Sequence, residues 1–371
     1  EGLAAMLSAG RALAVARGAS GRRPVPGPAR RGGRCFAVSV KGGHSGHLSE
    51  EEIRSMSHSK RAGGISAADR YLFDLNGYIV LRGVFSEGAV RAANAAVDAH
   101  LDSMHERNGK LRTSALYGRH SPGLAGDGST GRCDMGGMLG WASPHREPFR
   151  EVLAHPKLVP LMHELLGKGY RLDHSPLLLQ QRRGAEGHTL HGGAVTEAGG
   201  PAWPLQYQYA HGEMRTALLT VCMQLTDTGP ADGGFCVVPG SHKANFPTPP
   251  ALADCTALTE HVRQPTPQAG DALVFTEAVL HGTLPWVSDA ERRTVIYRFA
   301  PAGCAYGRGY LPWPAQWLEG ATEAQRAVLE PPYHPRMNRP FLNADAEKCD
   351  AAPREDFKIE FDEKVFGTRY F

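Results

Sequence analysis

The sequence has 371 residues, of which 42% are hydrophobic and 21% are charged, as is ordinary for a globular protein. A net charge of +3 is too small to favour binding to nucleic acid or to an acidic membrane surface. No apolar run approaches the roughly 18 residues that a membrane-spanning helix needs, so no membrane span is predicted. The cysteines are scattered without a C-x-x-C pair, which argues against a disulfide framework or a zinc ribbon and favours a reducing compartment.

The N-terminal segment, residues 1–65, differs from the rest of the sequence. No acidic residue lies between Glu1 and Glu50, whereas arginines recur throughout this stretch, and RRPVPGPARRGG lacks the apolar residues of a core. We therefore predict that residues 1–65 are disordered. An arginine-rich, acid-poor composition is typical of an organelle transit peptide, which predicts a mitochondrial or plastid location. The alternative is a tail without a targeting role on a cytoplasmic protein.

The folded part of the chain is predicted to begin near Ser66 with a short helix, a strand at Tyr78–Leu81 and a longer helix. Ser86 is a suitable N-cap for that longer helix because apolar residues follow it at helical spacing. Residues 107–145 are rich in Gly, Ser and Asp and predict a long loop. Two helical pieces follow, and Gly167 is predicted to end the second.

From Tyr170 onward the pattern changes to strands. Apolar residues alternate along Met214–Thr226, and shorter apolar runs follow at Phe235–Val238, Ala272–Thr276 and Thr294–Phe299. Short strands separated by polar turns after a helical lead-in favour an antiparallel sandwich or barrel, here residues 66–318. Residues 319–371 are predicted to form an extension packed on that barrel.

A histidine and an arginine at one end of this barrel are candidates for chemistry. In FTEAVLHGTLPWVSDAERRTVIYRFAP, His281 follows an apolar strand, and Arg292 begins the next strand eleven residues later. Guanidinium offers a planar pair of donors that matches a carboxylate. Each residue also has a purely structural interpretation: a histidine at a strand end, and a solvated Arg292–Arg293 pair.

Four stretches together resemble the phytanoyl-CoA dioxygenase family: RLDHSPLLLQQRRGAEGHTLHGGAV, TDTGPADGGFCVVPGSHKANFPTP, AGDALVFTEAVLHGTLPW and RRTVIYRFAP. The resemblance implies a mainly β fold with flanking helices (α+β), namely a double-stranded β-helix of the jelly-roll, cupin-like kind. It also implies Fe(II), 2-oxoglutarate as cosubstrate, and O2. By position, His191 is then the proximal metal ligand, His281 the distal ligand and Arg292 the clamp for 2-oxoglutarate, with Arg293 as the alternative clamp.

Further cosubstrate contacts are predicted inside the barrel. Gln180 or Gln181 can donate an amide hydrogen to a carboxylate or keto oxygen. Thr220, on the predicted strand Met214–Thr226, is the other candidate. A polar residue paired within the barrel wall is the alternative interpretation of the glutamines.

The sequence departs from the family at the metal site. Where members of the family usually have His-x-Asp, this chain has His191-Gly192-Gly193. One interpretation is that a carboxylate from elsewhere completes the site, with Glu197, Glu213 and the upstream Glu186 as candidates. A second is that a halide occupies the third position, as in related halogenases, and a third is that the metal chemistry is altered or lost. The remaining interpretation is an oxygenase in which water or chloride occupies the third position and no halogenation takes place.

The resulting expectation is a dioxygenase dependent on Fe(II) and 2-oxoglutarate that hydroxylates an aliphatic C–H bond of a small molecule or acyl substrate. A halogenase, and a non-catalytic barrel that binds a ligand without turnover, are the alternatives. No phosphate-binding loop, dinucleotide-binding glycine motif or G-x-S-x-G motif is present, which disfavours chemistry on a Rossmann or α/β-hydrolase fold.

Overall fold

The computed structural model describes residues 65–112, 122–309, 311–333, 339–343, 349–351 and 355–367. Contacts within the chain separate residues 1–47 from residues 48–371, and every described residue belongs to the second unit. The predicted disorder and targeting role of residues 1–65 concern a segment that, apart from its last residue, lies outside the described ranges. The boundary at residues 318 and 319 stays a prediction.

The first elements agree with those predicted from the sequence. Helix α1 spans Ala67–Asn76 and begins with a reciprocal cap, in which the Ser66 hydroxyl accepts from the Asp69 backbone at 3.0 Å. Gly77 ends that helix at φ +78°, in the left-handed region that glycine favours, and leads into strand β1, Tyr78–Leu81. Helix α2 then spans Glu87–Asp98 with Ser86 as its N-cap. The predicted strand and N-cap are confirmed.

After α2 the described chain consists mainly of β-strands, with helices between and after them. The strands are β2 His105–Glu106, β3 Cys133–Met135, β4 Arg171–Gln181, β5 His188–His191, β6 Tyr207–Ala210, β7 Glu213–Thr216, β8 Leu219–Gln224, β9 Gly234–Val237, β10 Ala272–Thr276, β11 His281–Leu284, β12 Arg292–Ala300, β13 Pro340–Leu342 and β14 Cys349–Ala351. The helices are α3 Glu147–Glu151, α4 Val159–Leu166, α5 Pro250–Ala253, α6 Ala315–Leu318, α7 Glu323–Leu329 and α8 Asp356–Phe366. None of the described helices combines the length and apolar character needed to cross a bilayer.

Two antiparallel sheets form the body of the fold. The large sheet has the order β1-β10-β8-β12-β4-β3-β2, and the small sheet has the order β5-β11-β9. One face of the large sheet, including Val295 and Tyr297, packs with the helices in the main core. The opposite face, including Cys222 and Phe275, packs against Val237 of the small sheet. The predicted antiparallel sandwich is therefore confirmed, and the space between its sheets is the barrel interior.

Two predicted segments differ from the structure. The predicted loop 107–145 contributes β3, which pairs with β4 and extends the large sheet. The predicted single strand Met214–Thr226 divides into β7, which pairs with β6 in a separate ribbon, and β8, which lies between β10 and β12. The ribbon of β6 and β7 ends where the Ala217 amide donates to the carbonyl oxygen of Gln206. The chain then enters the large sheet as β8, because Leu219–Gln224 pairs with β10 and β12 instead of β6.

Candidate metal centre and cosubstrate site

The two predicted metal-binding histidines lie opposite each other on neighbouring strands. His191 of β5 pairs directly with His281 of β11, and the centroids of their rings are 4.3 Å apart. The Nδ1 atom of His191 lies 3.0 Å from the Thr189 carbonyl oxygen, and that of His281 lies 2.8 Å from the Val279 carbonyl oxygen. A carbonyl partner fixes the hydrogen on Nδ1 and leaves Nε2 available to bind a metal.

A glutamate joins these histidines. Ligand-capable atoms of His191, Glu277 and His281 all lie within 4.8 Å of one another, and this is the group of that kind found among the described residues. Glu277 directly follows β10 and lies four positions before His281, with one carboxylate oxygen 3.6 Å from His281 Nε2. The sequence interpretation missed this residue, although its signal was a single acidic residue within the apolar run LVFTEAVLH.

Hydrogen bonds hold the carboxylate of Glu277 in place. Its Oε1 atom accepts from the hydroxyl of Thr220 and from Nε of Arg298, the latter at 2.7 Å, while Oε2 faces His281. Burial acts to raise the pKa of Glu277, but His281, Arg298 and the Thr220 hydroxyl outweigh it and keep that pKa below its ordinary value. The group is therefore an anionic oxygen donor at neutral pH, with one oxygen directed towards the imidazoles.

The two glycines after His191 explain how Glu277 comes so close. Gly192 and Gly193 have φ values of +98° and +95°, in the region that side chains with a Cβ rarely adopt. A Cβ on Gly192 would lie 2.5 Å from the carbonyl oxygen of Val279, and the Gly193 amide donates to the carbonyl oxygen of Ala278 at 2.9 Å. The chain after β5 thus packs against the backbone of the turn that carries Glu277.

The acidic residues predicted to supply the third ligand lie elsewhere. Glu213 is exposed at the start of β7 and pairs with Arg215 at 2.6 Å, on a ribbon separate from the small sheet. Glu197 is exposed in the loop after β5, and Glu186 is buried and pairs with Arg112 at 3.1 Å. None of the three belongs to the group formed with the two histidines, so the structure places Glu277 where these candidates were expected.

Arg292 enters the barrel interior as a buried cation. It is the first residue of β12, and its Nη1 atom donates to the side-chain oxygen of Gln181 at 2.6 Å. Burial lowers its pKa to about 10, so the guanidinium remains charged at neutral pH. Over the described ranges, no carboxylate lies within ion-pair distance of it. Because a buried charge without a counter-ion is costly, this position suits an anionic ligand such as the far carboxylate of 2-oxoglutarate.

The structure corrects two of the predicted cosubstrate contacts. Arg293 points to the opposite face of the sheet, where it forms ion pairs with Asp98 and Glu291, both at 2.8 Å. Gln180 lies on that same outer face and donates to Glu291, so Gln181 is the glutamine beside Arg292. Successive residues of a strand face opposite ways, so each of these assignments differs by one position from the inward-facing residue.

Thr220 does lie inside the barrel, but its described contact is with the metal centre. Its side chain is fully buried, and its hydroxyl donates to Glu277. The residue predicted to touch the cosubstrate therefore orients the carboxylate beside the histidines.

Two buried imidazoles give the metal-free protein a predictable pH dependence. Burial, more than any other cause, lowers the pKa of His281 to about 3 and that of His242 to about 4. Below about pH 6.5 the unfolded chain therefore binds protons that the folded chain does not, and folding becomes less favourable as pH falls. We expect the free energy of unfolding to fall by up to about 1.4 kcal/mol per pH unit for each histidine, down to about pH 4. Thermal denaturation at about pH 7 and about pH 5.5 measures this, and an equal Tm at both would contradict it.

Comparisons with solved structures identify the fold. HygX from Streptomyces hygroscopicus, with nickel, 2-oxoglutarate and hygromycin B bound, is 22% identical, and the match covers 65% of this chain and 89% of that chain with a TM-score of 0.50. AviO1 from Streptomyces viridochromogenes Tue57 is 18% identical, over 67% of this chain and 100% of that chain, with a TM-score of 0.46. At such identities, the likeness to HygX shows the shared jelly-roll fold. A comparison with curated proteins finds no match.

The family comparison covers the sheets and the candidate centre. The model of the family phytanoyl-CoA dioxygenase (PhyH) matches residues 73–294, which is more than half of the chain. That range includes His191, Glu277, His281 and Arg292. The chain therefore belongs to the phytanoyl-CoA dioxygenase family and is an oxygenase-type enzyme that depends on Fe(II) and 2-oxoglutarate and uses O2.

Proposed function

We propose that this enzyme hydroxylates an aliphatic C–H bond of a small molecule or acyl substrate. One oxygen atom of O2 enters the new hydroxyl group, and the other enters succinate as 2-oxoglutarate is oxidised to succinate and CO2. The proposal rests on one observation: the His191–Glu277–His281 group and Arg292 lie on facing walls of one barrel. Within the described ranges, Arg292 has no carboxylate at ion-pair distance. Two imidazoles and one carboxylate form the donor set of non-haem Fe(II) oxygenases, which leaves positions for cosubstrate and O2.

In this proposal the three side chains hold Fe(II), and each is oriented before the metal binds. Carbonyl oxygens fix the imidazoles of His191 and His281, while Thr220 and Arg298 fix the carboxylate of Glu277. When bound, the iron supplies the activation of O2 and the cleavage of the C–H bond, which side chains alone do not perform.

Other residues bind the cosubstrate and exclude water. Arg292, held by Gln181, binds the far carboxylate of 2-oxoglutarate through its pair of donors. The rings of Phe275 and Phe235 pack around His281, with centroids 4.6 and 6.1 Å from the imidazole. These apolar rings keep the region around His281 dry, which strengthens the electrostatic interactions of bound anions.

Glu277 favours hydroxylation over halogenation. The halogenase alternative requires an empty third position that a halide can occupy, and it arises because residue 193 is glycine. A carboxylate from the turn before β11 lies beside both imidazoles. HygX, which shares the fold, was crystallised with hygromycin B, and this supports a small-molecule substrate for the present chain.

The test is an anaerobic Fe(II) titration of the full chain with 2-oxoglutarate, followed through the visible charge-transfer band of chelated cosubstrate. We expect a band in the wild type that His191→Ala and His281→Ala abolish, and succinate formation on admission of O2 that chloride does not alter. A folded protein without the band would support the non-catalytic barrel instead. Chloride-dependent turnover with a chlorinated product would favour the halogenase.

A further inference from the structure

Three arginines and one glutamine form a row across the inner face of the large sheet. Arg107 follows β2 and Arg132 precedes β3, and the amide of Arg107 donates to the carbonyl oxygen of Arg132 at 2.8 Å. The register of β3 on β4, continued by one residue, places Arg132 beside Gln181, and Gln181 pairs with Arg292 of β12. The row therefore runs Arg107, Arg132, Gln181, Arg292. Strands are about 4.8 Å apart, so Arg132 and Arg292 are separated by about 10 Å.

This row holds more positive than negative charge. Arg107 and Arg132 share the single carboxylate of Asp134, with contacts of 2.5 Å from Arg107 and of 2.8 and 3.0 Å from Arg132. Arg292 has no carboxylate partner within the described part of the chain. In the neighbouring pairs, Arg298 with Glu277 and Arg112 with Glu186, the charges balance. Three guanidinium groups thus face one carboxylate.

Among the described residues, Asp134 is the one carboxylate within ion-pair distance of Arg107 and Arg132. Glu106 directly precedes Arg107 in the sequence, but its carboxylate accepts from the Gly131 backbone amide at 2.6 Å. Residues 113–121, which connect the β2 region to the β3 region, contain no Asp or Glu. A far carboxylate of 2-oxoglutarate at Arg292 would balance one charge and leave one positive charge in excess at Arg107 and Arg132. Like charges directly opposite on adjacent strands are destabilising, and an anion placed between them removes that cost.

Arg132 lies within electrostatic reach of the cosubstrate clamp. The register of β3, β4 and β12 places Arg132 and Arg292 two strand spacings apart on the same face of the sheet. In keeping with this position, Arg132 contributes, after burial, to the lowered pKa of Arg292.

We propose that Arg107 and Arg132 form a second anion subsite, which binds a carboxylate or phosphate group of the organic substrate beside 2-oxoglutarate. The inference rests on the proposed function, because it assigns 2-oxoglutarate to Arg292. A separation of about two strand spacings allows both anions to bind together. The substrate class is then a small anionic molecule whose reactive carbon lies between its charged end and the metal ligands.

The experiment is isothermal titration of the full chain, loaded anaerobically with Fe(II) and 2-oxoglutarate, with three probes. Orthophosphate and hexanoate represent the two anion chemistries, and hexanamide is the uncharged control. We expect one anion to bind with a stoichiometry near one while hexanamide does not, and the stronger anion identifies the substrate's charged group. Arg132→Gln should weaken that binding about tenfold or more. Arg91→Gln, which changes an exposed arginine paired with Glu87 on α2, should leave it unchanged.

Several outcomes would overturn the subsite. These are the absence of binding by both anions, an affinity that Arg132→Gln leaves intact, or displacement of 2-oxoglutarate by the probe. Arg132→Lys keeps the charge and should retain part of the affinity, which separates loss of the subsite from loss of the fold. Repeating the titration on metal-free protein without 2-oxoglutarate separates the two proposals. Anion binding there that depends on Arg132 survives even if the iron and 2-oxoglutarate assignment fails.

Discussion

Replacing Glu277 with glutamine is expected to weaken Fe(II) binding and 2-oxoglutarate turnover by about 100-fold or more. Loss of a residue that only supports a metal ligand typically lowers metal affinity or activity by about 10- to 100-fold. Loss of a ligand itself should therefore lower them by about 100-fold or more. Glutamine keeps the size of the side chain but removes the negative charge, and it leaves Arg298 without its counter-ion. The measurements are the Fe(II) dissociation constant and the rate of succinate formation.

The matched control is Glu213→Gln, which changes a glutamate predicted as the third ligand that instead lies exposed beside Arg215. Wild-type behaviour of Glu213→Gln with impaired Glu277→Gln would assign the third ligand to Glu277. The reverse pattern would contradict the assignment. Circular dichroism and Tm of both variants show whether the fold survives, and Glu277→Asp provides a second variant that keeps the charge but shortens the reach.

Replacing Arg292 with glutamine is expected to raise the Kd of 2-oxoglutarate by about 100-fold, which corresponds to about 2.7 kcal/mol. The cause is the loss of a buried charge-assisted pair at a position where no protein carboxylate competes for the guanidinium in the described structure. Glutamine can still bond to Gln181, so the local fold should persist. Titration of metal-loaded protein with 2-oxoglutarate measures the change, and Fe(II) affinity should stay within about threefold of wild type.

Arg293→Gln is the control for that measurement, because Arg293 is the next residue along the same strand. Its guanidinium lies on the outer face with Asp98 and Glu291, and partly exposed ion pairs contribute at most about 1 kcal/mol to stability. We expect the Kd of 2-oxoglutarate to be unchanged in Arg293→Gln. An increase in this Kd as large as that in Arg292→Gln would place the clamp on the outer face of the sheet and contradict its assignment to Arg292.

The sequence predicts the sheets and part of the centre because alternation and turn residues act locally. His281 and Arg292 occupy strand ends that an apolar run and a spacing of eleven residues can indicate. The choice between Arg292 and Arg293, or between Gln180 and Gln181, depends on the facing of each strand. A shift of one residue reverses that facing, and the partners that decide it, such as Asp98, are distant in sequence.

Glu277 was not predicted as a metal ligand from the sequence for a related reason. The His-x-Asp spacing of the family predicts a carboxylate close to His191 in the sequence. In the structure the carboxylate comes from Glu277, directly after β10. Only the antiparallel pairing of β5 with β11 brings the two regions together. In sequence the Gly192–Gly193 pair indicates a lost ligand, while in the structure it permits the close backbone contact that the relocated ligand requires.

Glu277 and His281 are only four residues apart, on either side of the turn between β10 and β11. A bound metal would therefore have two ligands from this short segment and one, His191, from a distant part of the sequence. The remote one, His191, is separated from His281 by roughly 90 residues, and closing a loop of that length costs about 4 kcal/mol of chain entropy. A metal bound by these residues acts as a removable crosslink between β5 and β11, two neighbouring strands of the small sheet. Its binding free energy is therefore also folding free energy for the pairing of β5 with β11.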